Sequence, residues 1–152
     1  MEWKREKFRI STKKKELNIE YIHHFISEKS YWAERVPREI VKKSIQGSVC
    51  FGLYDGKKQI GFARVITDKA TFGYLADVFV DERYRGKGLG EWLMQVIMLH
   101  PKLQGFRNWM LSTKDAHGLY AKVGFKPLET PERIMRINVP DIYKKASRKD
   151  TK

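Results

Sequence analysis

Apolar and polar positions change period several times along this chain, and each change marks an element. Residues 7–12 alternate as a half-buried strand does, and Lys13-Lys14-Lys15 closes them as a polar turn. Ile19, Ile22, His23 and Ile26 then recur at helical spacing behind Asn18, whose short side chain suits an N-cap. Tyr31 and Trp32 fall in the connection that follows, and Pro37 opens a second helix carrying Ile40, Val41 and Ile45.

From residue 49 onward the pattern is mostly that of strands. Residues 49–54 and 59–66 flank Asp55-Gly56-Lys57-Lys58, and the Asp-Gly pair predicts a hairpin. Residues 71–80 form the next strand, which feeds a glycine-rich turn and a helix over about 88–99, stopped by Pro101. Residues 107–113 read as another strand and 115–123 as a helix with Gly124 as its cap; residues 126–128 and 134–139 are expected to complete the sheet. Strands alternating with helices imply an α/β fold, a mixed and mostly antiparallel sheet. One parallel pair is expected, between the strands before and after the central helix.

Length and composition narrow the picture further. A chain of 152 residues suits one domain over residues 1–140, with residues 141–152 as a basic, fraying tail. Cys50 is the only cysteine, so no internal disulfide forms, which suits a reducing cytoplasm. Neither a signal-like apolar start nor a membrane span of ~20 apolar residues is present. The formal net charge of +13 attracts polyanions of any kind, but it is dispersed in pairs such as Lys42-Lys43 and Lys57-Lys58. Association with nucleic acid therefore stands as the secondary reading.

The candidate chemistry gathers at Arg85-Gly86-Lys87-Gly88-Leu89-Gly90. Residues without Cβ let backbone N–H groups converge on an anion, and the helix that follows adds its unpaired donors and its positive dipole end. Neither the Gly-x-x-x-x-Gly-Lys-Ser/Thr loop nor the Gly-x-Gly-x-x-Gly dinucleotide spacing fits here. Alone, the three glycines read equally as a diphosphate nest or as a tight solvated turn.

In this context the loop resembles the coenzyme A pyrophosphate loop of the GNAT superfamily of acyl-CoA-dependent N-acyltransferases. Leu119-Tyr120-Ala121-Lys122-Val123-Gly124-Phe125 is similar to that family's Leu-Tyr-x-Lys-x-Gly-Phe segment in content and in distance from the loop. The resemblance covers roughly Phe51 to Phe125 and implies acetyl-CoA as co-substrate, no metal, a small-molecule amine acceptor and direct attack in a ternary complex. It implies that the two parallel strands splay and that the pantetheine arm lies between them along Val78, Phe79 and Val80, with Arg85, Gly86, Lys87, Gly88, Leu89 and Gly90 holding the diphosphate. Thr113 stands where relatives often carry an asparagine that reaches the cofactor arm. The resemblance admits a homodimer. A non-catalytic acyl-CoA-binding protein is the alternative reading.

For the chemistry, Tyr120 is the candidate acid, since a phenol with a pKa of about 10 stays protonated beside a leaving thiolate whose thiol lies near 8.5. Read without the motif, Tyr120 is better taken as a buried tyrosine that only packs, and the motif reverses that preference. Asp77 precedes the cleft-lining residues and has three readings: base, ligand for the substrate ammonium, or ion-pair partner of Arg64 or Lys87. Tyr31, Trp32 and Tyr74, with Asp77, favour an aromatic or cationic amine, although the same rings could simply close an apolar face. Cys50 has no base beside it in the pattern and reads as core. His23 and His24 lack a ligand partner at metal spacing.

Overall fold

A computed structural model describes residues 1–144 of this chain. Its elements are β1 (Glu2–Arg5), β2 (Phe8–Ser11), α1 (Ile19–His24), α2 (Arg38–Gln46), β3 (Val49–Asp55), β4 (Lys58–Thr67), β5 (Phe72–Val80), α3 (Leu89–Leu99), β6 (Asn108–Met110) and α4 (His117–Ala121). The six strands form one sheet in chain order, antiparallel throughout except for β5 and β6, which run parallel. This is the mixed α/β sheet that the pattern implies.

Two buried clusters hold helices to the two faces. On one, Leu89, Leu93, Met94, Val96 and Ile97 of α3 pack against Phe51, Leu53, Ile60, Val65 and Leu75. On the other, Ile22, Val41 and Ile45 from α1 and α2, with Phe25 and Ile26, meet Cys50, Phe62 and Phe79. Local chemistry sets the helix starts. The Asn18 side chain accepts from the Tyr21 amide at 3.0 Å, and Pro37 caps α2. Residues 25–29 continue α1 as a wider turn with π-type bonding.

The strand that matters most for the site is irregular. Phe62 pairs with Phe79 and Arg64 with Ala76, so Asp77 and Val78 together oppose the single residue Ala63. Asp77 takes a left-handed φ of 54° there. Such a bulge adds a residue and inverts the facing of everything beyond it. Leu75, Val78 and Val80 accordingly lie on the α3 side, whereas Phe79 turns to the α1 and α2 side and stacks on Phe25 at 3.8 Å and 8°.

Two expectations need correction. An additional strand, β1, pairs with β2 through a two-residue turn in which Glu6 has φ 57°. Its four residues are mostly exposed, so no alternation marked it. Residues 126–128 and 134–139 do not join the sheet, which ends at β6. A single turn at Pro131–Arg133 redirects the chain, and no backbone hydrogen bond of residues 134–139 reaches the sheet. Of the expected tail, residues 145–152 lie outside the described part.

Gly61 is glycine for want of room: a Cβ would come within 2.8 Å of the Phe79 carbonyl oxygen and 3.0 Å of Leu53. Gly61→Ala is expected to destabilise the fold by about 1–3 kcal/mol, lowering Tm by roughly 3–10 °C in a thermal melt. An unchanged Tm would mean that β4 and β5 can separate locally without penalty.

Candidate functional site

β5 and β6 pair only from Phe72 to Tyr74 against Asn108 to Met110. Beyond that point β5 runs on to Val80 while β6 ends, and the sheet opens between them. The opening leads into a cavity of about 1030 Å³ that reaches from the loop before α3, along β5, past α4, to the connection between α1 and α2.

At one end lies the glycine loop. Gly86 and Gly88 take φ 81° and 75°, and Gly88 caps α3. Side chains are excluded there by backbone conformation, because a Cβ at either glycine would meet nothing within 4 Å. Gly90 differs: it lies in the first turn of α3, and a Cβ would make ordinary contact with Leu119 at 3.8 Å and Val80 at 3.9 Å. Arg85 bends back so that its Nε donates to the Val80 carbonyl at 3.3 Å, and Arg83 is paired with Asp81. The unpaired amides at the start of an eleven-residue helix, facing a cradle of left-handed glycines, fit a diphosphate.

Midway, α4 presents Tyr120. The ring packs edge-on against Phe125 at 6.2 Å, and among the described residues no protein group accepts from its hydroxyl. Burial, reinforced by the neighbouring Tyr31 phenol and Asp115 carboxylate, pushes its pKa up to about 12. It stays protonated through the pH range in which a thiol near 8.5 first ionises. Thr113 uses its hydroxyl locally, accepting from the Ala116 amide at 3.0 Å ahead of α4.

The far end is closed by aromatic rings tied down by hydrogen bonds. Tyr31 and Trp32 meet edge to face at 5.1 Å, and the Tyr31 hydroxyl accepts from the Lys114 amide at 2.8 Å. The Trp32 indole donates to Asp77 Oδ1 at 2.8 Å, while Arg64 Nε donates to Asp77 Oδ2 at 2.9 Å. Arg64 is held in turn by Ser48 Oγ at 3.1 Å. Tyr74 reaches across the opening to Ser112 at 3.1 Å. Both carboxylate oxygens of Asp77 are therefore engaged, and its side chain is only 10% exposed.

Nearly every residue singled out from sequence lines this one cavity. Tyr31, Trp32, Tyr74, Asp77, Val78, Phe79, Val80, Arg85, Gly86, Gly88, Leu89, Gly90, Thr113 and Tyr120 are all in its wall; Lys87 is not. Phe79 contributes backbone, since its ring is buried on the opposite face. The structure shows Arg64 as the ion-pair partner of Asp77 that one of its three readings named, whereas sequence reasoning missed Lys29, Ser112, Lys114 and Asp115 as wall residues. Only their places beside Tyr31 and beside Thr113 could have signalled them. Cys50 is buried away from this wall, and desolvation pushes its thiol up to about 11, so it offers no nucleophile at neutral pH. His23 bonds the Val36 carbonyl at 2.9 Å. Among the described residues no helix is long and apolar enough to cross a membrane, and no three His, Cys, Asp or Glu side chains are grouped to hold a metal ion.

Comparison with known proteins agrees with this geometry. The family model of the acetyltransferase (GNAT) domain matches residues 46–127. A Gibberella zeae protein that carries an acetyltransferase name is 32% identical over 142 residues, covering 79% of both chains. The crystal structure of a GNAT-family protein from Xanthomonas campestris pv. campestris has a TM-score of 0.87 at 45% identity and covers 90% of this chain and 96% of that one. A GNAT-family acetyltransferase from Elizabethkingia anophelis with acetyl-CoA bound shares the fold, with a TM-score of 0.62 at 16% identity, covering 82% of this chain and 80% of that one.

The two kinds of glycine in the loop should separate in experiment. Gly88→Ala must hold a side chain in the left-handed region, at about 1–2 kcal/mol, so coenzyme A affinity by calorimetry is expected to fall roughly tenfold. Gly90→Ala sits in helical backbone and should leave affinity nearly unchanged while raising Tm by a few degrees. Equal losses in both would show that free space at the loop matters more than its conformation.

Proposed function

The chain belongs to the GNAT acetyltransferases, and from that premise we propose that it moves an acetyl group from acetyl-CoA to the primary amine of a small molecule by direct attack in a ternary complex. The observation that carries this reading is the continuity of the cavity: one opening joins the glycine loop, the Tyr120 phenol and the Tyr31 and Trp32 wall. Acetyl-CoA supplies the activated acyl group as a thioester.

The chain's own residues supply binding, orientation and proton handling. Backbone amides from Gly86 to Gly90 hold the diphosphate, and β5 beyond Tyr74, where β6 no longer covers it, offers an extended backbone to the amide-rich pantetheine arm. Thr113 spends its hydroxyl on the turn before α4, so it leaves orientation of the arm to backbone. Tyr120 holds a proton at its phenol oxygen for the departing sulfur. No cysteine serves as an intermediate carrier, since Cys50 is buried in the helix-side core.

An alkyl amine is mostly protonated at neutral pH, a gap of roughly 4 kcal/mol, so its proton must leave through a base or water. With both oxygens bonded, Asp77 acts in this proposal as a positioning residue that fixes Trp32 and Arg64. Asp115, with no ion-pair partner among the described residues, is the carboxylate in the wall left free to receive that proton through solvent. Lys29, Arg64 and Lys114 line the acceptor side against Asp77 and Asp115, so the wall does not favour a polycation. The cationic preference expected of Asp77 thus loses its anchor, and an amine on an aromatic or apolar body fits best.

Release of free coenzyme A thiol from acetyl-CoA, followed across arylamines, amino acids, aminoglycosides and polyamines, tests the reading. Tyr120→Phe is expected to lower kcat by roughly a hundredfold while leaving coenzyme A affinity within about twofold. Because burial raises the Tyr120 pKa, the wild-type rate should show no alkaline fall through pH values near 10 that traces to this group. A fall below that point that disappears in Tyr120→Phe would assign the phenol an ordinary pKa and overturn its buried-acid role.

Asp77 should behave differently from Tyr120. Asp77→Ala releases Trp32 and Arg64 together, so acceptor KM is expected to rise roughly tenfold with a smaller change in kcat, whereas Asp77→Asn keeps an acceptor for the indole and recovers part of the loss. A collapse of kcat at constant KM in both variants would make Asp77 the base.

A further inference from the structure

On the acceptor side of the cavity the wall carries three cationic side chains, Lys29, Arg64 and Lys114, and two carboxylates, Asp77 and Asp115. One pair cancels: Arg64 and Asp77 hold each other at 2.9 Å with side chains 15% and 10% exposed, and the second oxygen of Asp77 is taken by the Trp32 indole. What is left to face an acceptor is Lys29, Lys114 and Asp115, and among the described residues none of the three makes an ion pair. Two free cations therefore stand against one free carboxylate. Both lysines belong to the Tyr31 end of the wall. Lys114 donates its amide to the Tyr31 hydroxyl at 2.8 Å and lays its Nζ 5.6 Å from the centre of the same ring. Lys29 precedes Tyr31 by two residues across the buried Ser30, whose hydroxyl donates to the Ile26 carbonyl and so ties the backbone down.

We propose that the acceptor carries an anionic group, a carboxylate or a phosphate, which Lys29 and Lys114 bind while its apolar body lies against Tyr31 and Trp32; this rests on the acetyl-transfer reading above. An acceptor that fills this end takes water away from the two lysines, a cost that a counter-charge on the acceptor offsets. The reacting nitrogen must be neutral when it attacks, and a second amine elsewhere on the acceptor would meet two like charges. An anion meets neither objection. Lysine ammonium groups are compact point charges and suit carboxylate and phosphate oxygens alike. The same arrangement orients the substrate, with its anion at the Tyr31 end and its amine toward the opening where Tyr120 stands.

Matched pairs that differ only in the anion test the proposal: benzylamine with para-aminomethylbenzoate for a carboxylate, and tyramine with tyramine O-phosphate for a phosphate. Each compound is titrated by calorimetry into the chain saturated with coenzyme A and, separately, followed by thiol release from acetyl-CoA. In at least one pair the anionic member is expected to be favoured roughly tenfold over its parent amine, in affinity and in kcat/KM, with the ratio shrinking as salt is raised. The pair that shows the preference identifies the anion. Lys29→Gln and Lys114→Gln are each expected to lower the ratio about threefold and the double substitution to bring it near one, whereas Lys114→Arg retains most of it. A ratio taken within one variant is not moved by a general loss of stability or turnover. Affinity ratios near one in both pairs, or no binding by either anionic compound, overturn the proposal even where thiol is released. A preference of the expected size in affinity, without thiol release from any pair, upholds the anion site and overturns the transfer reading instead. A preference that survives the double substitution overturns the assignment to these lysines, as does a loss of coenzyme A affinity with the ratio unchanged, which would give them to the cofactor's phosphates.

Discussion

Everything in the site depends on one extra residue in β5. The bulge at Asp77 and Val78 inverts the strand's facing, so that Phe79 anchors α1 and α2 while Val78 and Val80 stay on the α3 side of the opening. A left-handed aspartate costs of order 1–3 kcal/mol and persists only where its surroundings hold it. Here the indole of Trp32 and the guanidinium of Arg64 do so from two different elements, and Ser48 steadies the guanidinium. The same contacts that keep the bulge in place seat the aromatic wall at the far end of the cavity. Strain in the strand and the shape of the pocket are therefore one feature.

Electrostatics divides the cavity. At the loop, positive potential comes from backbone amides and the end of α3, with the basic side chains turned aside: Arg85 toward Val80, Arg83 toward Asp81. At Tyr120, burial favours the neutral phenol. At the far end, bases and acids nearly balance, and aromatic rings supply much of the wall. The large net charge of the chain has little to do with any of this, since Lys87 and most of the basic pairs lie outside the cavity wall.

Much of the fold was legible because its signals are local. The Asn18 cap, the Asp55-Gly56 hairpin and the left-handed glycines at 86, 88 and 124 each express a backbone preference that neighbouring residues suffice to set. Tyr120 and the loop were found through their motifs. What escaped was contact between distant segments. Asp77 read as a candidate base because nothing in its neighbourhood of sequence reveals Trp32, 45 residues away, on its other oxygen. Lys114 and Asp115 escaped as wall residues for the same reason.

The segment 134–139 shows the boundary between the two kinds of information. Its sequence carries the apolar β-formers of a short strand, which is why it was expected to join the sheet. Only the tertiary structure decided that, among the described residues, no strand of its own chain pairs with it, because pairing is a property of the neighbour as much as of the segment. Likewise, residue types along β5 determined a strand leading to a glycine-rich loop. The bulge, and with it the face each residue presents, was decided by what packs on the two sides: α3 against one, Phe25 and the Trp32–Asp77–Arg64 bridge against the other.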